Sequence, residues 1–442
     1  MRFCSEEFLF CFLPLFLAVY YLSPVAHRNL VLALGSIVFY VLGFDGQLWQ
    51  TGLLLGLTGL TWLMGKAQRR WKSKWLLGLF LGILAAVLTV FKLYRGGRLL
   101  APGMSFFLFQ MAAFLMEARH DEALAEQSLV GYSAQILMFP KVLSGPLCAP
   151  RELWRQTWSR GYLPEQFREG LQKLILGIAM KTVFADRLGG LWSQAAVVGY
   201  DGISTPFAWM ALVCYGLRLY LDFFGYSLMA RGLGEMLGFR LPRNFRDPYW
   251  AGSVSEFYRR WHITLGAWFR EYVYFPLGGS RRGLVRTVCN LGVVWLLTGL
   301  WHGIGWGYLI WAGFLFFCIA NERLWLKKLL DRVPVLAHVY TPFVILLSWV
   351  PFGVVDPKLT VVYLQKLFGM GSAVNPLDYV NYISLYAPLL VGGILLCTPF
   401  PEKLWTKVKE SVWADVVLFV LFWVSMYFMS TGSGDPFLYF QF

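Results

Sequence analysis

Charge is what this chain has least of. Only 14% of its 442 residues are Asp, Glu, Lys or Arg, where a soluble protein of this size carries about a quarter. Apolar side chains fill the deficit, at 57% of the total, and they include 20 Trp and 37 Phe. A water-soluble fold could not hide that much apolar surface without exposing large patches. A bilayer removes the difficulty, because it is itself the solvent. Long polar or Pro/Ser-rich linkers are absent too. The chain therefore reads as one membrane domain with short loops, not as the several soluble domains its length would suggest.

Other absences narrow the function. The seven cysteines (Cys4, Cys11, Cys148, Cys214, Cys289, Cys318 and Cys397) are odd in number and form no Cys-x-x-Cys. They read as small core hydrophobes, with no disulfide framework and no metal site. There is no Walker A loop, Rossmann fingerprint or His-Glu-x-x-His, and no Gly-x-Ser-x-Gly to mark a protein nucleophile. The opening apolar run is preceded by Glu6 and Glu7 and followed by no Ala-x-Ala site. A cleaved signal peptide starts basic, so this first span reads as retained. The net charge of +14 lies in short clusters between apolar runs, as from Lys66 to Lys74. Cytoplasmic loops beside anionic lipid look this way. Membrane lipids are the expected partner of that charge; nucleic acid is not.

A crossing needs about twenty apolar residues. Candidate spans are 8–25, 29–45, 48–64, 75–91, 99–116, 129–148, 170–185, 205–222, 287–301, 304–320, 336–354, 382–398 and 411–431. Those at 99–116, 170–185 and 287–301 are short and would be tilted, broken or re-entrant, which requires protein or a cavity to cover the freed backbone. About ten to twelve crossings are expected. Basic clusters (Lys66–Lys74; Lys92, Arg95 and Arg98) flank one span on both sides, so charge does not orient it. The chain divides into N-terminal helices over 1–240, a non-spanning segment over 241–286 and C-terminal helices over 287–442.

That central segment is aromatic but holds no run long enough to cross. Ser253-Val254-Ser255-Glu256 fits a capping box, and the helix it starts is expected to run to about Arg270, before Pro276. Glu256 and Arg260 have the favourable i,i+4 order. Phe257, Trp261, Leu265 and Trp268 make one apolar stripe, so the helix lies in the interface or plugs into the protein.

Histidines are scarce, and two of the five stand out. His302 ends an apolar helix among Gly299, Gly303, Gly305 and Gly307. An ionisable group there is costly and usually faces a cavity or a partner; imidazole is also the side chain best suited to take a proton near neutral pH. The plainer alternative is a buried histidine bonded to a backbone carbonyl, with glycines serving helix packing. His262 follows Arg259 and Arg260 and gives a basic face one titratable group; a solvated interfacial face is the alternative. His27, His120 and His338 sit beside loops or charges and read as exposed. Asp222 ends an apolar run with Arg218 one turn back, which suggests a structural ion pair. With no protein nucleophile in sight, an enzyme built on His302 would activate the substrate's own hydroxyl.

The residues 245–250 (Phe-Arg-Asp-Pro-Tyr-Trp), 255–279 (Ser-Glu-Phe-Tyr-Arg-Arg-Trp-His onward to Pro-Leu-Gly-Gly) and 297–303 (Leu-Thr-Gly-Leu-Trp-His-Gly) closely resemble the membrane-bound O-acyltransferase superfamily. The nearest branch is similar to the bacterial membrane proteins of alginate, polysaccharide and peptidoglycan O-acetylation. Arg28-Asn29-Leu30 through Tyr40, Pro102–Phe107, and Phe139-Pro140 through Gly145-Pro146 match as well, and Phe437–Phe442 looks like a family C-terminus of a complete chain. The resemblance implies an all-α polytopic fold: a ring of tilted transmembrane helices around a thin, funnel-pierced centre, with re-entrant and interfacial helices. It implies that His302 is catalytic and that His262 faces the same chamber, with Arg259, Arg260, Trp301, Asp222 and Tyr226 as candidate substrate contacts. The donor it implies is cytoplasmic acetyl-CoA, with no bound cofactor. The acyl group leaves on the outer side of a bacterial inner membrane, to a polysaccharide or first to a periplasmic or extracellular acetyltransferase partner. Two positions depart from the branch's Asp-Phe-Ser-Gly-Tyr-Ser-Asp-Met-Ala: Phe224 stands for the first Ser and Leu228 for the second Asp. A proton-coupled transporter or flippase, using His302 and Asp222 as a relay, is the alternative; it calls for internal repeats, which the sequence does not show.

Overall fold

The computed structural model describes residues 2–43, 48–93, 103–141, 145–158 and 160–432. Among them there are helices and turns but no strand. Seven described helices are long and apolar enough to cross a membrane: Val25–Gly43, Lys74–Leu93, Thr205–Met236, Leu284–His302, Trp306–Arg332, Pro334–Val354 and Val412–Thr431. An eighth is added if Val380–Leu396 and Phe400–Val408, which meet at 75°, form one bent span. The chain is an all-α polytopic membrane protein. Lipid can wet most of Lys74–Leu93, only 17% buried inside the protein, whereas 78% of the Thr205–Met236 window is buried.

Fewer helices qualify than the run count suggested, for identifiable reasons. Glu7–Leu22 and Met104–Ala118 are apolar but short; residues 99–102 of the second run, with Arg95, Arg98, Pro102 and Phe437–Phe442, lie outside the described residues. Leu48–Trp71 is long enough but buries Gln50, Thr51, Thr58, Thr61 and Gln68. The expected span 129–148 is not one helix. Leu129–Ile136 gives way to a single 3-10 turn at Phe139–Lys141, because Pro140 and Pro146 cannot continue a hydrogen-bonded helix. The expected span 170–185 belongs to a longer stretch. Pro164–Ala179 passes through a π-turn, Met180–Ala185, into Asp186–Val198.

Two compact units account for the contacts. The first comprises the described residues of Met1–Ile178 and Tyr226–Arg243, the second those of Ala179–Gly225 and Asn244–Leu438. Within the first, Phe3, Phe8, Phe39 and Phe139 cluster, with Tyr226 stacked on Phe3 at 5.3 Å. Gly170 and Gly232 let two backbones meet, since a Cβ on either would lie 2.4–2.5 Å from the other's carbonyl oxygen. The Arg28-Asn29 motif is structural here: Arg28 donates to the Arg160 carbonyl at 3.1 Å and Asn29 accepts from the Arg160 guanidinium. The second unit carries both singled-out histidines.

Candidate active site

The helix Val254–Arg260 is anchored firmly at its start. Ser253 Oγ accepts from Glu256 N–H at 3.0 Å, as the capping box requires. The return bond reaches one residue further than expected, with Glu256 Oε2 accepting from Gly252 N–H at 3.0 Å. Arg260 closes the i,i+4 ion pair with Glu256 at 2.5 Å. A second carboxylate, invisible to local reasoning, completes the cap. Glu322, 1% exposed, accepts from Val254 N–H at 2.6 Å and from Ser255 N–H at 2.8 Å. A negative charge on the positive end of a helix is stabilising, and here it ties the end of Trp306–Asn321 to the element that leads into His262.

The expected helix to Arg270 is broken instead at His262. Helix Val254–Arg260 stops at an extended Trp261, His262 adopts φ 45° and ψ 52°, and a new helix runs Ile263–Phe269 before a π-turn at Arg270–Tyr274. A left-handed conformation is uncommon outside glycine, and such residues concentrate at functional sites. It persists because neighbours over-determine it. The Asn244 carbonyl accepts from Ile263 N–H at 2.9 Å, and Arg246 N–H donates to the Arg260 carbonyl at 3.0 Å. Asn244 Oδ1 accepts from Thr264 N–H at 3.3 Å and from Thr264 Oγ1 at 2.6 Å. Phe257, Trp261 and Leu265 are still buried, but Phe269 takes the core place foreseen for Trp268.

His302 occupies the last turn of Leu284–His302 and is 6% exposed. Its ring lies 4.5 Å from Trp301, 5.0 Å from Trp311, 5.0 Å from Phe352 and 6.4 Å from Tyr308. The neighbouring glycines make that enclosure possible. A Cβ on Gly303 would lie 2.5 Å from the Tyr308 ring, and one on Gly307 would lie 2.4 Å from the Pro351 carbonyl oxygen. His262, 4% exposed, packs edge-on to Phe223 at 4.6 Å and lies 6.1 Å from the same Trp301. One indole therefore neighbours both imidazoles. A second aromatic route joins them, from Trp261 to Trp349 at 5.4 Å and from Trp349 to Trp311 at 6.3 Å.

Burial lowers the His262 imidazole from its ordinary 6.5 to about 3. Its ring is thus neutral at physiological pH. The consequence for stability has a definite sign. Above pH 6.5 folded and unfolded chains both carry the neutral ring, so stability is full. As the pH falls from 6.5 toward 3, only the unfolded chain takes up the proton, and stability is lost. In detergent, the thermal midpoint should drop between pH 7 and pH 4.5, and His262→Asn should shrink that drop. An equal drop in the variant would contradict the assignment.

Asp222 is 1% exposed and pairs with Lys181, 2.8 Å away; Lys181 also meets Asp186 at 2.5 Å. Lys181 comes from the π-turn Met180–Ala185, a partner that reasoning over one helical turn, which pointed to Arg218, could not find. Gly189 makes room for the Arg218 guanidinium, which a Cβ would meet at 2.5 Å. The other candidates are dispersed. Arg259 is exposed, Arg260 is engaged by Glu256, and Tyr226 is buried in the first unit against Phe3. His27, His120 and His338 are exposed, as expected. Among the described residues no group of three or more His, Cys, Asp or Glu could hold a metal.

The arrangement is a pair of enclosed imidazoles, one of them neutral, in aromatic surroundings. An imidazole so enclosed, as His302 is, can take up and return a proton. The family model described as "MBOAT, membrane-bound O-acyltransferase family" matches residues 71–344, a stretch that holds both histidines. Over the whole of both chains, the sequence is 31% identical to a protein of Pseudomonas putida named "Probable alginate O-acetylase AlgI". It is 32% identical to the Pseudomonas aeruginosa protein of that name, over 90% of this chain and 81% of the relative. A "Peptidoglycan O-acetyltransferase" of Helicobacter pylori is 28% identical over 84% of this chain and 80% of its own length.

Proposed function

The chain belongs to the membrane-bound O-acyltransferase family and is an acyltransferase, and from that premise we propose that it passes an acetyl group from a cytoplasmic thioester, acetyl-CoA, to O-acetylate a cell-envelope polysaccharide outside a bacterial inner membrane. The relatives named for alginate and peptidoglycan O-acetylation support the acceptor class. The observation that carries the catalytic reading is the shared neighbour Trp301, beside both His302 and His262.

His302 is the general base. It removes the proton of the attacking hydroxyl and returns it to the leaving thiolate. Its place at a helix C-terminus suits this role, because the partial negative charge there favours a ring that becomes cationic when it takes the proton. Proton transfer of this kind contributes roughly a hundred- to ten-thousandfold. His262, neutral and held by its strained backbone, orients the reacting groups from the other side, and Trp301 walls the space between. Exposed Arg259 offers a charge to the donor's phosphates, while Arg260 holds the helix that presents it. Asp222 acts on substrate only through the wall it holds in place, beside Phe223. A periplasmic or extracellular acetyltransferase is the partner to which the acetyl group passes if transfer to the polymer is not direct.

Inverted membrane vesicles supplied with acetyl-labelled acetyl-CoA test the donor and the reaction class. The expected result is cleavage of the thioester with label recovered as an ester on the lumenal side. Transport of substrate with the thioester intact would instead favour a transporter.

A further inference from the structure

Next to His302 lies a donor with nothing to donate to. Trp311, on Trp306–Asn321, is 2% exposed, yet its indole Nε1 has no hydrogen-bond partner among the described residues. Buried indole N–H groups normally find an acceptor, and one left without calls for an explanation. The ring is not loosely held. It stacks with Trp349 at 17°, lies 5.1 Å from Phe352, and meets the His302 ring nearly perpendicular, at 85° and 5.0 Å. A fixed, buried donor one ring away from a base is an arrangement that stabilises a developing oxyanion.

We propose that the Trp311 indole N–H is a catalytic hydrogen-bond donor to the carbonyl oxygen of the acyl donor, a role that rests on His302 being the base. The acceptor's hydroxyl oxygen bonds to the thioester carbonyl carbon as its proton passes to His302, and the carbonyl π pair moves onto oxygen. Trp311 donates to that oxygen as its charge grows. The carbon–oxygen double bond then re-forms, the carbon–sulfur bond breaks, and the thiolate takes the proton back from His302. One ester and one thiol result. The donor is worth most in the transition state, so its loss should lower kcat and leave KM for the thioester near its original value.

The test removes the N–H while keeping the ring. Trp311 is replaced by 3-benzothienylalanine, in which sulfur stands for N–H in the same shape, and by Phe in a second variant. Both are assayed as full chains in membrane vesicles with acetyl-CoA as the probe, beside His302→Gln. The benzothienyl variant should lose about 100- to 1,000-fold in kcat with little change in KM. A wild-type rate in that variant overturns the proposal, whatever the Phe variant does, because a packing role alone would survive the isostere. With His302→Gln inactive, that failure leaves the reading of His302 standing; an active His302→Gln overturns both.

Discussion

His302→Gln should give a folded, membrane-inserted protein whose acyl transfer is slower by about 100- to 10,000-fold. Glutamine is the informative choice. Alanine would open a void lined by Trp301, Trp311 and Phe352, all of them packed on the imidazole, and cavities in packed cores destabilise on their own account. Glutamine fills much of the volume and keeps a polar end, but it cannot take a proton. The amount of protein in the membrane and its thermal midpoint in detergent should therefore stay close to wild type while the rate collapses. KM for acetyl-CoA should move little, because binding does not depend on the proton. Full activity in a well-folded His302→Gln protein would remove the base from the mechanism.

The largest stability effect is expected in the ion cluster behind His262. Asp222→Ala leaves Lys181, 2% exposed, without its partner at 2.8 Å. Removing one member of a buried pair costs about 3–5 kcal/mol, because the remaining charge stays desolvated. Lys181 keeps Asp186, which is 27% exposed, so Asp222→Ala should be less damaging than Lys181→Met, which takes the shared cation from two carboxylates. The double variant Asp222→Leu with Lys181→Met should recover much of the loss, since a well-packed apolar pair can replace a buried ion pair. Thermal unfolding in detergent reads all three. Activity should fall with Asp222→Ala as well, because the next residue, Phe223, is the ring packed on His262 at 4.6 Å. If the single variants unfold at the wild-type temperature, the cluster does not support the site.

What the sequence revealed and what it concealed divide along the range of the forces involved. Most of the apolar helices, the Ser253 cap and the Glu256–Arg260 pair depend on neighbours within a turn or two, and these are present. His302 was conspicuous because an ionisable group amid apolar residues and four glycines is costly wherever it folds; the glycines at 303 and 307 do sit where a Cβ would collide. The break at His262 was hidden. Its residues keep a helical period straight through, and the hydrogen bonds that override it come from Asn244, 20 residues before the Thr264 it holds. Glu322 and Lys181 were missed likewise, since each serves a partner far along the chain. Residues 129–148 misled for the opposite reason. Their average hydropathy is that of a span, but Pro140 and Pro146 decide the backbone, and hydropathy does not weigh them.

Acyl transfer that depends on His302 is most directly tested on the cell's own polymer. Envelope polysaccharide is isolated from cells lacking the protein, cells carrying it, and cells carrying His302→Gln at the same membrane level, and its ester-bound acetyl groups are counted by mass spectrometry. Acetyl esters should appear with the intact protein and fall to the level of the empty cells with His302→Gln. Equal acetylation in the last two strains would contradict the account.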